Sequence, residues 1–203
     1  MVGAMISPRA DLVRNSSCSG VPVIKTYKFM SQPGSTNHLD VRIASTPDAR
    51  EITSLINGAF KAAEGFFVEG DRIELEEVIE SLSKGKFLLA EEEGLLVGCV
   101  YVEPHGERAY LGLLSVDPSR QHSGVGSQLM AAAESYCEGQ DCRFMDIKIV
   151  NLRRELPEFY LKRGYVATGT SSFPSDVPTR EPCHFIDMTK PLGPRRSLDD
   201  VQD

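Results

Sequence analysis

The chain has 203 residues, 41% of them hydrophobic and 25% charged, with a formal net charge of -7. That length suits one domain with tails, and the acidity argues against a general polyanion binder, since nothing offsets phosphate repulsion across the surface. Cys18, Cys99, Cys137, Cys142 and Cys183 are scattered without Cys-x-x-Cys spacing, a pattern of free thiols in a reducing compartment rather than a zinc site or disulfide framework. No apolar run approaches the roughly 18 residues of a membrane span. The expectation is a soluble cytoplasmic protein with no metal, no membrane and no nucleic-acid partner.

Residues 1–38 show no sustained period and carry Ser16, Ser17, Ser19, Pro22, Pro33 and Gly34, which reads as a flexible tail. Arg9, Arg14, Lys25 and Lys28 face only Asp11 there. That bias resembles a mitochondrial transit peptide, but no amphipathic Arg-rich helix accompanies it. The domain is therefore expected at residues 39–191, with a second tail at 192–203.

Within the domain, 41–44 predicts a short strand. Thr46-Pro47 then opens a helix whose face carries Ile52, Leu55, Ile56 and Phe60. A second helix places Leu75, Val78, Ile79 and Leu82 on one side and stops at Gly85. Residues 87–90 and 95–102 read as a hairpin around an acidic turn, followed by a strand over 109–116. A helix over 124–138 buries Val125, Leu129, Ala132, Ala133 and Tyr136, and 144–150 reads as a strand. A short helix over 157–163 and strands over 165–170 and 184–188 complete the chain. Hairpins first and a β-α-β unit in the middle describe a mixed α/β domain.

The most informative stretch is Val116-Asp117-Pro118-Ser119-Arg120-Gln121-His122-Ser123-Gly124-Val125-Gly126-Ser127. A strand stops, the chain turns, and a helix opens at Gly124. Such a helix start leaves unpaired N–H groups and a partial positive charge, and glycines let a phosphate approach the main chain. On the residues alone this is a pyrophosphate cradle or a tight helix–sheet turn. The Gly-x-x-x-x-Gly-Lys-Ser/Thr and Gly-x-Gly-x-x-Gly fingerprints both fail here, so ATPase and NAD readings fall.

Gln121-His122-Ser123-Gly124-Val125-Gly126 resembles the Gln/Arg-x-x-Gly-x-Gly/Ala signature of the GNAT superfamily of acyl-CoA-dependent N-acetyltransferases. Downstream, Phe159-Tyr160 followed by Gly164-Tyr165 resembles that family's closing helix and strand. The likeness covers roughly residues 41–190. It implies a mixed, mostly antiparallel twisted sheet of six to seven strands, about four flanking helices and a splayed strand pair.

The resemblance also implies acetyl-CoA as cosubstrate and a primary amine as acceptor, which attacks directly in a ternary complex. Leu114, Ser115 and Val116 would line the pantetheine and acetyl group. Gln121, His122, Ser123, Gly124, Val125, Gly126 and Ser127 would hold the pyrophosphate, and Asn151 would be a further cofactor contact or a local turn. Tyr160 occupies the place of the proton donor to the departing thiolate; a phenol near pKa 10 can protonate a thiolate whose acid lies near 8.5.

The base is less defined. Relatives place a glutamate where this chain has Tyr110, and Glu103, His105 and Glu107 lie just upstream, Glu103 being the candidate carried forward. Glu64, Phe66, Phe67 and Arg72 are the candidate acceptor residues, an acid among aromatics suiting a cationic amine. The alternative is a non-catalytic acetyl-CoA-binding or sensing module. The identity of the acceptor is not written in these residues, and a homodimer through a sheet edge is compatible with them.

Overall fold

The computed structural model describes residues 39–193; the tail readings for 1–38 and for 194–203 lie outside the described residues. Seven strands and four helices follow in the order β1 (Leu39–Ile43), α1 (Ala49–Glu64), α2 (Leu75–Lys84), β2 (Lys86–Glu92), β3 (Leu95–His105), β4 (Arg108–Val116), α3 (Val125–Glu138), β5 (Phe144–Val150), α4 (Leu156–Leu161), β6 (Val166–Ser172) and β7 (His184–Pro191). The strands form one sheet in the order β1-β2-β3-β4-β5-β7-β6. Every neighbouring pair is antiparallel except β4 with β5. This is the mixed sheet that the resemblance implies.

Helix α1 forms where the sequence places it because its apolar positions recur at helical spacing. Ala49, Ile52, Ile56, Ala59 and Phe60 are buried in one stripe. Its entry differs from a simple proline start: Thr46–Asp48 make a 3-10 turn, and Asp48 accepts from the Ser45 N–H at 2.7 Å and from Arg42 at 2.8 Å. With α2 it covers one face of the sheet over Phe87, Leu89, Cys99, Tyr101 and Leu113. Helix α3 covers the other face, over Val100, Val102, Leu111, Leu114 and Val116. Gly98 makes that approach close: a Cβ there would lie 2.9 Å from both Leu129 Cδ1 and Val125 Cγ1. On α3 it is Cys137 rather than Tyr136 that is fully buried, Tyr136 packing at the rim.

Two irregularities shape the centre of the sheet. Between Cys99 and Tyr101 of β3 the register with β4 shifts, so that Leu113 and Leu114 oppose a single residue. Leu113 has φ +48°, and this bulge sends Leu113 and Leu114 to opposite faces. The parallel ladder between β4 and β5, meanwhile, runs only from Arg108↔Phe144 to Tyr110↔Asp146. Beyond Tyr110 the two strands have separated. The closed end is latched by Arg108, whose Nε donates to Asp146 at 2.7 Å, while Thr189 donates to the same carboxylate at 2.6 Å. At the C-terminal side Leu192 is still buried, with its N–H on Arg143 O at 2.8 Å.

Candidate functional site

The chain leaves β4 through Asp117, whose carboxylate accepts from the Ser119 N–H and hydroxyl at 2.8 and 2.5 Å and so caps the turn Pro118–Arg120. Ser123 Oγ donates to Arg120 O at 2.6 Å, tying the next turn to the first. His122 and Gly124 take left-handed conformations, φ +67° and +92°. Gly124 is the N-cap of α3, and a Cβ on it would meet nothing within 4 Å. The Arg120 N–H donates to Asp117 O and the Ser127 N–H to Gly124 O; among the described residues the N–H groups of 121–126 between them have no backbone acceptor. A row of unpaired donors at the start of a 14-residue helix is an arrangement that favours an anion.

Arg163, at the end of α4, completes this side. Its Nη2 donates to Ser127 Oγ at 2.6 Å, its Nη1 to Phe159 O at 3.0 Å, and its guanidinium lies 3.4 Å from the centroid of the Phe159 ring. The sequence reading passed over Arg163; its basic place between the Phe-Tyr pair and Gly164 was the available signal. Gln121, His122, Ser123, Gly124, Val125, Gly126 and Ser127 therefore form one loop, and Leu114, Ser115 and Val116 lie on β4 past the point where β5 leaves it. Ser115 is fully buried and its hydroxyl donates to Leu113 O at 3.1 Å. Asn151 clamps the end of β5 to β7: its N–H donates to His184 O at 3.0 Å and its Oδ1 accepts from the His184 N–H at 2.9 Å.

Tyr160 is fully buried, edge-on to Tyr165 at 5.5 Å, in the same core as Leu111, Leu114 and Ile149. Phe159 beside it lies at the rim of that core. Yet the Tyr160 hydroxyl has no hydrogen-bond partner, and neither has the buried hydroxyl of Tyr110. Burial holds both phenols above their ordinary range, opposed at Tyr110 by Arg72 and at Tyr160 by Arg153 and Arg163. Gly112 gives Tyr110 its place, since a Cβ on it would lie 2.7 Å from the Tyr110 ring. Glu103 faces Tyr110 across β3 and β4. It accepts from Tyr101 Oη at 2.8 Å and contacts His105 Nε2 at 3.0 Å.

On the α1–α2 side a cavity of about 500 Å³ is lined by Phe60, Glu64, Gly65, Val68, Arg72 and Arg180 among others. Glu64 ends the buried stripe of α1, 4% exposed. Burial pushes its carboxyl up to about 7, opposed by Arg72 and Arg153. Arg153 Nη1 approaches Glu64 Oε1 at 3.5 Å, an ion-pair contact without hydrogen-bond geometry, while Arg153 Nε donates to Glu155 at 2.6 Å. Glu64 Oε2 and Arg72 Nε are buried without a partner. Arg72 lies 5.3 Å from the Phe60 ring centroid, and burial lowers its pKa.

Asn57 fixes the loop carrying Arg72: its Oδ1 accepts from the Arg72 and Ile73 N–H groups at 2.8 and 3.0 Å, and its Nδ2 donates to Ile73 O at 3.0 Å. Phe67 is fully buried and Phe66 half-exposed against it at 4.8 Å, so Glu64 and Arg72 face the cavity while Phe67 supports the loop beneath. Among the described residues no cluster of three His, Cys, Asp or Glu side chains forms a metal site, and no helix is long and apolar enough to cross a membrane.

Residues 83–167, from the end of α2 to the start of β6, match the family model described as the acetyltransferase (GNAT) domain. The chain is 26% identical over 137 residues to an amino-acid acetyltransferase of Pseudomonas putida (strain GB-1), a match covering 66% of this chain and 29% of that protein. The chain thus spans under a third of the length of that curated relative. Among solved structures it resembles the ribosomal-protein-alanine N-acetyltransferase of Brucella melitensis, with TM-score 0.62, 18% identity and coverage of 75% of this chain and 99% of that one. It also resembles the ribosomal-protein-S18-alanine N-acetyltransferase of Escherichia coli, with TM-score 0.62, 12% identity and coverage of 81% and 99%. The splayed β4–β5 pair and the donor-rich loop before α3 both fall within the stretch, residues 83–167, that is similar to the GNAT acetyltransferase domain.

Proposed function

We propose that the chain transfers the acetyl group of acetyl-CoA to a primary amine by direct attack in a ternary complex. The observation that carries this reading is the junction of two features: strands that part beyond Tyr110, and a fully buried Tyr160 hydroxyl with no partner in the core that β4 and β5 share. A buried hydroxyl left unpaired costs about 1–3 kcal/mol, so its retention fits a partner that arrives with the substrate. The residues present also suit the cosubstrate. The free N–H groups of 121–126, with Arg163 and Ser127 alongside, match a pyrophosphate, and the unpaired edge of β4 past Tyr110 matches an amide-bearing arm.

In this reading the backbone around Leu114, Ser115 and Val116 holds the thioester. The amine nitrogen forms the new N–C bond, the C–S bond breaks, Tyr160 gives its proton to the departing thiolate, and the second proton lost by the nitrogen as it becomes an amide restores the Tyr160 phenol. The ammonium proton leaves before attack toward Glu103, reached past Tyr110, whose hydroxyl lies within electrostatic range of Glu103, Tyr160 and Arg72. The acceptor amine comes from the cavity at Glu64 and Arg72. Asn151, bonded to the His184 backbone, contributes by fixing the end of β5.

The test is thiol release from acetyl-CoA by the full chain with a panel of primary amines, wild type against Tyr160→Phe. Release with at least one amine, reduced in the variant, supports the reading. Saturable acetyl-CoA binding with no release from any amine would replace it with an acetyl-CoA-binding or sensing module.

A further inference from the structure

Resting on the acetyltransferase reading, we propose that the acceptor is an amino carboxylate bound as a zwitterion, its carboxylate held by Arg72 and its ammonium facing Glu64. The argument begins with an imbalance. Arg72 and Glu64 line one cavity and carry opposite charges, yet no hydrogen bond joins them. Glu64 turns one oxygen to Arg153 and leaves Oε2 bare; Arg72 lies against the Phe60 ring and leaves Nε bare. The two charges attract each other, yet their buried atoms Glu64 Oε2 and Arg72 Nε have no hydrogen-bond partner, which is costly unless something between them satisfies both. A molecule with a cation at one end and an anion at the other does so.

The surroundings narrow the class. Arg180, the other arginine lining the cavity, is already engaged: its Nε donates to Glu69 at 3.2 Å. Arg153, with its Nε on Glu155 and its Nη1 3.5 Å from Glu64, is not among the residues lining the cavity. Of the two arginines lining the cavity, Arg72 is the one with a buried donor left bare, in a fork geometry that suits a carboxylate. It is also held in place before any ligand comes, because Asn57 binds the N–H groups of Arg72 and Ile73 and the carbonyl of Ile73. A simple amine would leave Arg72 unpaired beside a second positive charge. A peptide N-terminus would offer a neutral amide where the pocket asks for an anion.

The cavity is also bounded. Val68 bridges to Thr179, and the Arg180 N–H donates to Phe67 O at 2.8 Å, so the segment before β7 is bound to the α1–α2 loop beside it. About 500 Å³ admits a compact amino acid rather than a folded chain.

The deciding experiment is calorimetric titration of the full chain, with coenzyme A present, using free amino acids, each beside its α-carboxamide and its decarboxylated amine. The expected result is at least one amino acid binding about 10- to 100-fold more tightly than both neutral-ended partners, the worth of one charge-assisted pair. Arg72→Gln should remove that preference, and Arg72→Lys should restore part of it. Equal or tighter binding of the carboxamides and amines, or no binding by any amino acid, overturns the proposal.

The wild-type analogue series decides the matter even if an Arg72 variant fails to fold. Acetyl-CoA titrated into the full chain without coenzyme A separates the two readings. Amino-acid binding without acetyl-CoA binding would sink the transferase and leave the pocket. Acetylation of plain amines with no carboxylate preference would sink the pocket and leave the transferase.

Discussion

The loop at residues 121–126 offers main-chain N–H groups to its ligand, whereas the cavity under α1 offers the side chains of Glu64 and Arg72. The first is one continuous stretch of chain in which glycine at 124 and a helix start do the work. The second is assembled from α1, the loop after it, the loop after β5 and the segment before β7. Backbone sites depend on conformation and tolerate most side-chain exchanges; side-chain sites depend on charge and on the shell that holds each charge. Substitutions on the two sides should therefore fail in different ways.

Between the two sides lies Tyr160, and it gives the largest expected effect. Tyr160→Phe should lower kcat about 10²-fold, the ordinary reach of a general acid, without loss of stability, because the hydroxyl removed has no partner. Steady-state kinetics beside a thermal melt check it. A variant that melts well below wild type would show that the hydroxyl is structural.

Glu64 should reveal itself through pH. Its carboxyl is raised from 4.5 to about 7 by burial, so the folded state retains a proton that the unfolded chain has released. Stability contributed by this group is therefore full below about 4.5, is lost as pH rises toward about 7, and is level above. The total is on the order of 3 kcal/mol. Glu64→Gln should flatten that slope, measured as denaturant midpoints across pH 4.5–8. An unchanged slope would mean that Glu64 is ionised and well solvated.

Asn57→Ala removes the acceptor of two N–H groups and should cost about 1–3 kcal/mol. It should raise the KM for the acceptor through Arg72 while leaving acetyl-CoA affinity unchanged, since the Asn57 side chain bonds only the Arg72–Ile73 backbone. Equal losses for both substrates would erase the distinction between the two sides. The smallest effect belongs to Ser127→Ala, which frees Arg163 from one hydrogen bond and should change acetyl-CoA affinity only a few-fold. A change of a hundredfold would make Ser127 itself a principal phosphate ligand.

How much of this was legible in the sequence follows the same division. The turn and helix start at 121–126 could be read because their residues are contiguous and Gly124 has a conformational cause. The strand and helix order could be read because each element has its own period. The bulge at Leu113 could not, since a leucine at φ +48° has no local signature and exists because β3 and β4 are paired around it.

Glu64 was half-visible: it continues the buried stripe of Ile52, Ile56 and Phe60, so a charge stands where the helix should bury an apolar side chain. Arg153 and Asn57 gave no such sign. Their roles exist only after the loops following α1 and β5 have been brought together. Which of Phe159 and Tyr160 is buried could not be read from the adjacent pair either, because it depends on the rotation of α4, which turns Tyr160 into the core.

The most direct test of the central claim is calorimetric titration of the full chain with acetyl-CoA, wild type beside Gly124→Glu. Gly124 has φ +92° and open space before it, so the variant sets a carboxylate at the mouth of the donor loop and adds about 1–2 kcal/mol of backbone strain. The account predicts saturable binding by wild type and a loss of about 100-fold or more in a variant that still melts cooperatively. No binding by folded wild type, or equal binding by both, would contradict it.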